Sequence, residues 1–259
     1  MYSRFARLLS AGAMTLVLAG CEMDPALMGT MPVARPVTAA ALNDPSHYAA
    51  VVDNGLAVPG IPVGKVPAAY QRQLVNYETD QPVGTIIIDP STKHLYLVTG
   101  PKKALRYGIA VGREGFGWSG EADITSRTTW PKWTPPYEMI DRKPELEKFR
   151  DVGQAGGLTN PLGARALYLT TNGVDYGYRI HGTPEWNSIG TNASSGCIRM
   201  INQDVMDLYN RVPDGTRVVV LTEDGRFPTR LNVPPVPVVK KPAPPPPPVE
   251  DDGPIYGPI

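Results

Sequence analysis

The sequence predicts a mainly β domain over residues 82–222, with one or two short helices and flexible extensions on both sides. Two observations support this fold class. The region contains many short runs of β-branched and aromatic residues, and turn-forming residues separate these runs. In addition, only two of its segments favour helices, and many strands with few helices indicate a β-rich core.

The domain opens with a predicted hairpin. Residues 83–88 form a β-branched run, Asp89-Pro90-Ser91-Thr92 provides the turn, and residues 94–98 form the second run. Five further strand candidates follow along the chain: residues 106–111, 126–130, 166–170, 176–180 and 217–221.

Two helices are predicted inside the domain. The first begins near Pro144 and ends at Arg150, with proline in the permissive first turn. The second begins at Asn202, a candidate N-cap, and ends before the turn Pro213-Asp214-Gly215. Its apolar residues recur at helical spacing, and they are Val205, Met206, Leu208, Tyr209 and Val212.

Residues 1–21 have the pattern of an export signal. Arg4 and Arg7 precede an apolar run over residues 8–19, which is too short for a membrane span of about 20 residues. The run ends in Leu18-Ala19-Gly20-Cys21, which resembles the lipobox of bacterial lipoproteins, in which Cys21 is lipidated. The alternative is an ordinary secretory signal cut nearby. Both interpretations place the mature chain outside the cytoplasm.

The remaining flanks are predicted to be extensions. Residues 22–81 are rich in Ala, Pro, Gly and Val, which indicates a tether, with a short helix expected around residues 67–77. Residues 223–259 form a proline-rich tail that is expected to be disordered and to sample polyproline II conformations. We interpret the tail as a spacer, and a recognised proline motif is the alternative.

The charge balance gives no indication of nucleic-acid binding. The chain has 25 basic and 25 acidic side chains, so no basic surface is predicted. His47 and His94 have no recognisable metal-ligand spacing, and we expect both to be surface or structural residues. No metal or cofactor is predicted.

Cys197 and His181 are the candidate catalytic pair. The chain has two cysteines, and lipidation of Cys21 would leave Cys197 without a disulfide partner. A thiol becomes a nucleophile when a base takes its proton, and imidazole is the usual partner. Gly196 gives a substrate close access and can direct backbone N–H groups at an oxyanion. A buried, inert cysteine is the alternative interpretation.

These residues carry a family resemblance. His181-Gly182-Thr183 and, further on, Ser194-Ser195-Gly196-Cys197-Ile198-Arg199-Met200 are similar to the signature of the L,D-transpeptidases, the YkuD-type cysteine enzymes of bacterial cell walls. The resemblance covers residues 82–222 and implies a β-sandwich-like catalytic domain. It also implies that Cys197 is the nucleophile and that His181 accepts and donates the proton.

The resemblance implies roles for the neighbouring residues as well. Gly196 and Ser195 would contribute to the oxyanion and substrate site, although some relatives carry histidine or lysine where Ser195 stands. Gly182 offers only its carbonyl, which we expect to orient His181. Arg199 would hold a stem-peptide carboxylate or lower the thiol pKa, and a loop-steadying salt bridge is its alternative role.

The implied reaction is acyl transfer on peptidoglycan. Cys197 would attack a tetrapeptide stem, release the terminal D-alanine and form a thioester, which an amine from a neighbouring stem or a lysine of an envelope protein then resolves. The alternatives are hydrolysis by the same pair, as in an L,D-carboxypeptidase, and a non-catalytic wall-binding lipoprotein. A papain-like protease is disfavoured because His181 precedes Cys197. The expected location is the periplasm, with a lipid anchor in the outer membrane.

The tryptophans and one insertion are secondary candidates. For Trp118, Trp130, Trp133 and Trp186, packing in the core or at its rim is the expected role. The segment from Trp130 to Pro136 resembles loops that border the substrate cleft in the family, and residues 135–158 are a candidate lid.

Overall fold

The computed structural model describes residues 38–112, 118–194 and 196–232. The strands in this part of the chain are β1 (Val51–Asp53), β2 (Leu56–Val58), β3 (Gln73–Asn76), β4 (Ile86–Asp89), β5 (His94–Gly100), β6 (Lys103–Gly108), β7 (Val111–Gly112), β8 (Gly120–Thr129), β9 (Arg165–Thr170), β10 (Arg179–Thr183), β11 (Asn192–Ser194), β12 (Ile198–Ile201) and β13 (Arg217–Val220). The α-helices described are α1 (Ala39–Leu42), α2 (Tyr137–Arg142) and α3 (Asn202–Arg211). Short 3-10 helices cover Pro45–Tyr48, Val63–Lys65, Ala68–Tyr70, Pro144–Phe149 and Trp186–Ser188.

A nine-stranded sheet organises the domain, in the order β12-β10-β9-β8-β13-β4-β5-β6-β3. Most neighbours are antiparallel, whereas β10 pairs with β12 and β13 pairs with β4 in parallel. The predicted mainly β fold with a few short helices is confirmed. The parallel pair β10–β12 lies at one edge of the sheet, and it carries the candidate catalytic residues.

The core occupies both faces of the central strands. Ile86 and Ile88 of β4 join the largest apolar cluster, whereas Ile87 between them joins a smaller cluster on the other face. A strand covered on both sides needs apolar residues at every position, which explains the unbroken β-branched run. Helix α3 packs Val205 and Leu208 into the larger cluster and so lies against the sheet behind β10 and β12.

Residues 38–81 differ from the expected tether. Strand β3 pairs antiparallel with β6, so it extends the sheet upstream of residue 82. The helix expected over residues 67–77 is wrong, because the chain makes only the 3-10 turn Ala68–Tyr70 before β3. The Gln73-Leu74-Val75-Asn76 run has two adjacent apolar residues between polar ones, a pattern too short to specify a strand, so pairing with β6 decides its conformation.

A buried carboxylate ties this N-terminal segment to α3. Asp204 is fully buried, and its oxygens accept hydrogen bonds from His47 Nε2 at 2.9 Å and from the Tyr48 hydroxyl at 3.3 Å. Gln203 donates to the Pro59 carbonyl at 2.9 Å. Residues 38–81 are therefore part of the folded domain. Residues 22–37 lie outside the described residues.

The helices and the C-terminal segment also show differences from expectation. The segment from Pro144 is a 3-10 helix ending at Phe149, and α2 precedes it. Helix α3 begins as predicted at Asn202, but its N-cap position is Ile201. The Asn202 side chain instead accepts a hydrogen bond from the Ala164 N–H at 2.9 Å. Residues 223–232 return to the sheet through a bridge between Ser119 and Asn232, and residues 233–259 lie outside the described residues.

Within the described residues, no helix combines the length and the apolar composition needed to span a bilayer.

Candidate active site

His181 lies in the middle of β10 and is 4% exposed. Its ring Nδ1 is 2.6 Å from the Gly182 carbonyl oxygen. Because a carbonyl oxygen only accepts, Nδ1 carries the proton and Nε2 carries the lone pair. The pKa of His181 is lowered to about 4, chiefly by burial and in smaller part by the Arg199 charge, while the bond to Gly182 opposes the shift. The imidazole is therefore neutral at pH 7 and can act as a base.

Cys197 lies directly before β12 and is half-buried. Its Sγ is 3.7 Å from the Gly177 carbonyl oxygen, which accepts the thiol hydrogen. Burial raises the pKa of the Cys197 thiol above its ordinary value, although the Arg179 backbone N–H and the charges of Arg179 and Arg199 lower it. Burial thus favours the protonated thiol over the thiolate in the absence of substrate.

The parallel pairing of β10 with β12 brings the two residues to the same edge. His181 is opposite Arg199 in the register, and Cys197 precedes Arg199 by two residues. Cys197 lies in the bend directly before β12, so the β10–β12 edge carries the imidazole and borders the thiol.

Arg199 is held by an ion pair rather than pointing freely into the site. Its Nη1 is 3.0 Å from Glu185 Oε2, and its backbone N–H donates to the Ala110 carbonyl at 2.9 Å. The loop-steadying salt bridge is thus the contact that the structure contains. The guanidinium still acts electrostatically on both His181 and Cys197, whose pKa values it lowers.

The structure requires glycine at the two candidate positions for different reasons. Gly196 has φ +124°, a conformation that side chains rarely adopt, and it turns the chain directly before the thiol. Gly182 is buried, and a Cβ there would lie 2.3 Å from Asn202 Oδ1. Gly182 lies close to Asn202, Val205 and Ala164, and its carbonyl oxygen accepts the hydrogen bond from His181 Nδ1. Ser195 and Cys21 lie outside the described residues.

Sequence analysis missed the segment that leads into β10. Asp175, Gly177 and Arg179 surround the thiol or support the groups that do. Tyr178 also lies there, with its ring stacked on Trp118 at 4.7 Å and close to the position a Gly196 Cβ would take. The available signal was the Asp175-Tyr176-Gly177 sequence, since an Asp side chain often accepts a hydrogen bond from the backbone N–H two residues further on and so stabilises a turn.

The remaining tryptophans and the insertion have structural contacts. Trp130 donates its indole N–H to Asp53 at 2.7 Å, and Trp186 packs beside a small apolar cluster. Asn160 is fully buried, and its side-chain amide donates to the carbonyls of Pro131, Gln154 and Ala155. This amide fixes both ends of the insertion, and the lid remains an expectation.

The other two histidines are structural in this fold. His47 bonds to Asp204, and His94 is buried with its Nε2 2.9 Å from the Ala69 carbonyl oxygen. No cluster of three potential metal ligands occurs among residues 38–112, 118–194 and 196–232.

Comparison with known proteins identifies the family. Residues 84–220 match the family model of the YkuD L,D-transpeptidase catalytic domain, so the chain belongs to this family. YqjB of Bacillus subtilis (strain 168), a protein with a provisional L,D-transpeptidase name, is 31% identical over 60% of this chain and 81% of its own length. YbiS of Escherichia coli (strain K12), also provisionally named an L,D-transpeptidase, is 29% identical over 68% of this chain and 60% of its own length.

Two solved structures are also similar. An L,D-transpeptidase from Mycobacterium smegmatis is 20% identical with a TM-score of 0.39, covering 53% of this chain and 58% of that one. A Brucella melitensis structure, whose name describes a probable oxidoreductase of a carnitine operon, is 48% identical with a TM-score of 0.42, covering 60% of this chain and 96% of that one. Both TM-scores are below 0.5, so family membership rests on the sequence match. The family acts on peptidoglycan stem peptides, which places this chain's activity in the cell envelope.

Proposed function

We propose that the protein is a cysteine L,D-transpeptidase that acts on peptidoglycan tetrapeptide stems through a thioester. The observation that supports this most directly is the hydrogen bond from His181 Nδ1 to the Gly182 carbonyl, because it leaves Nε2 as the basic nitrogen beside the strand that begins after Cys197. The neutral imidazole can accept the proton that the Cys197 thiol loses during attack.

Proton transfer accompanies substrate attack in this scheme. The S–H bond breaks, the proton moves to His181 Nε2, and the sulfur electron pair forms the bond to the carbonyl carbon of the third stem residue. Backbone N–H groups at Gly196 and Cys197 face the oxyanion, where one donor is worth about 3–4 kcal/mol. The imidazolium then protonates the leaving D-alanine amine, and a thioester remains on Cys197.

The acyl acceptor defines the product. An amine of a neighbouring stem gives a cross-link, and a lysine of an envelope protein gives attachment of that protein to the wall. Water gives hydrolysis, the second candidate, which the half-exposed thiol also supports because solvent reaches it. A purely wall-binding role is disfavoured, since the chain holds a tautomer-fixed base at the same sheet edge as the thiol.

The location follows from the export signal. The chain would be periplasmic, and lipidation at Cys21 would anchor it to the outer membrane. The proline-rich residues beyond 233 would act as a spacer toward the wall.

Product masses test this function. The chain from residue 21, with Cys21→Ser, is incubated with purified tetrapeptide muropeptides, and the products are resolved by mass spectrometry. Cross-linked dimers that have lost one D-alanine support transpeptidation, and tripeptides alone support hydrolysis. Cys197→Ala must abolish both products while the circular dichroism spectrum is retained. Turnover by that variant would exclude the thioester route.

A further inference from the structure

The segment over residues 175–179 forms two contacts with the Cys197 sulfur. The thiol donates to the Gly177 carbonyl oxygen over 3.7 Å, and the Arg179 backbone N–H donates to the sulfur. The first contact sets where the thiol hydrogen points at rest. The second places a donor where negative charge develops when that hydrogen leaves.

One carboxylate supports both contacts. Asp175 Oδ1 accepts from the Gly177 N–H at 2.8 Å and from Arg179 Nη1 at 2.7 Å, and Asp175 Oδ2 accepts from Arg179 Nη2 at 2.8 Å. The Asp–Arg pair is bidentate, which fixes orientation as well as distance. Gly177 has φ +85°, so its backbone adopts a turn that needs such a support.

Arg179 is restrained on its other sides too. Its guanidinium lies 4.5 Å from the centre of the Tyr168 ring, and Nη1 also donates to the Tyr178 carbonyl at 2.8 Å. The Arg179 side chain is 19% exposed, whereas that of Asp175 is 47% exposed. Asp175 is therefore the outer member of a network that ends at the sulfur.

We propose that Asp175 is a positioning residue for Cys197, holding the Gly177 carbonyl and the Arg179 N–H on either side of the sulfur. The inference rests on the proposed function only in taking Cys197 as the nucleophile. During attack the S–H bond breaks and the proton passes to His181 Nε2, while the electron pair stays on a sulfur that faces the Arg179 N–H. Without Asp175 the thiol loses this fixed geometry, and fewer encounters are productive.

Several charged or titratable groups face the thiol and enter its pH dependence. Arg179 and Arg199 lower the pKa of Cys197, and the Asp175 carboxylate raises it. Tyr178 interacts electrostatically with Cys197, His181 lies opposite Arg199 on β10, and Glu185 is the ion-pair partner of Arg199. Loss of the Asp175 charge acts to lower the thiol pKa, whereas loss of the Arg179 N–H contact acts to raise it.

Alkylation of Cys197 measures this directly. In the Cys21→Ser protein Cys197 is the sole cysteine, so the rate of reaction with iodoacetamide reports its thiolate. Both Asp175→Ala and Asp175→Asn remove the carboxylate charge, but only Asn keeps an oxygen for the Gly177 N–H. Asp175→Ala is therefore expected to have a higher midpoint of the alkylation–pH profile than Asp175→Asn, and to reduce kcat on tetrapeptide stems about 10-fold with little change in KM. Asp175→Asn should recover most of kcat.

Asp214→Ala is the matched control. Arg127 Nε is 2.6 Å from Asp214 and its guanidinium lies 4.8 Å from the Tyr209 ring centre, so this pair repeats the Arg179 arrangement elsewhere on the surface. Its loss should change neither midpoint nor kcat. Should Asp175→Ala be too unstable for assay, the Asn variant carries the test through its kcat, which must lie below that of Asp214→Ala because the bidentate pair with Arg179 is weakened.

The outcomes separate this inference from the proposed function. Midpoints and kcat in both Asp175 variants that match those of Asp214→Ala would overturn the positioning role. A higher midpoint in Asp175→Ala than in Asp175→Asn, in a protein that leaves tetrapeptides unchanged, would support Asp175 as the positioning residue and reject the transpeptidase assignment.

Discussion

The imidazole of His181 donates its Nδ1–H to the Gly182 carbonyl oxygen over 2.6 Å, within a strand that is buried at both residues. This bond links the chemistry of the site to the packing of β10, because the same glycine lies against Asn202 of α3. The geometry of the base is thus set by the main chain rather than by a second ionisable side chain.

The buried imidazole should make stability depend on pH. His181 has a pKa of about 4 in the fold against 6.5 ordinarily, because burial disfavours its charged form. Between pH 4 and pH 6.5 the unfolded chain binds more protons than the folded chain. The contribution of His181 to the free energy of unfolding is therefore fully present above pH 6.5, and about 3 kcal/mol of it is lost as the pH falls to 4. Urea unfolding of wild type and His181→Gln at pH 7 and pH 4.5 measures this difference. An equal loss in both proteins would contradict it.

Gly182→Ala should destabilise the domain. The added Cβ would lie 2.3 Å from Asn202 Oδ1 and 3.1 Å from the Ala164 nitrogen, so α3 or the strand must shift. We expect a loss of about 1–3 kcal/mol in the free energy of unfolding. Gly100→Ala is the control, since it also lies in a strand and its Cβ would meet no atom within 4 Å. Equal midpoints of urea denaturation for the two variants would refute the packing argument.

Arg199→Gln should raise the pKa of His181. The guanidinium beside the imidazole disfavours its protonation, and the neutral amide removes that effect while β12 keeps its backbone bonds to Ala110. NMR titration of the imidazole C–H signals reports the change. Arg217→Gln removes a comparable ion pair on β13, three strands away from β10, and should leave the titration of His181 unchanged. A His181 curve that is the same in both variants would show that the Arg199 charge does not reach the ring.

His47→Ala should loosen the N-terminal segment. The substitution removes the 2.9 Å hydrogen bond from His47 to the buried Asp204 carboxylate. Of the two hydrogen bonds described above, only the longer one from Tyr48 remains. We expect a loss of about 1–3 kcal/mol in unfolding free energy and faster proteolysis within residues 38–72. Lys102→Ala breaks an exposed ion pair with Glu78 and should cost almost nothing. Unchanged proteolysis in His47→Ala would mean that the segment is held elsewhere.

The parts of the fold that sequence predicted are those with a local signal. The spacing of apolar residues in the β-branched run before Asp89 and in α3 indicates by itself which side chains are buried. A strand and a helix form within the two predicted segments. Cys197 and His181 could be proposed as a pair from sequence because few residue types perform this chemistry. Their placement at the β10–β12 edge required the pairing of strands, which spacing alone does not specify.

The parts that sequence missed depend on distant partners. Strand β3 is four residues long and pairs with β6, about thirty positions further along, so its own composition resembled a linker. Asn202 fits a helix cap by type, yet its oxygen binds Ala164, which only the folded chain brings near. In the sequence Asp175 has only the features of a turn residue. Its link to the thiol depends on the contact between Gly177 and the Cys197 sulfur, which only the folded chain contains.

The protonated state of Cys197 has a consequence for its survival. Peroxide and other oxidants attack thiolates far faster than thiols, and the first product, a sulfenic acid, could not perform acyl transfer. A Cys197 thiol that donates its hydrogen to the Gly177 carbonyl oxygen is therefore oxidised more slowly than a thiolate would be. Such protection would matter most outside the cytoplasm, where the N-terminal segment is predicted to direct the chain and where no reducing buffer surrounds a thiol.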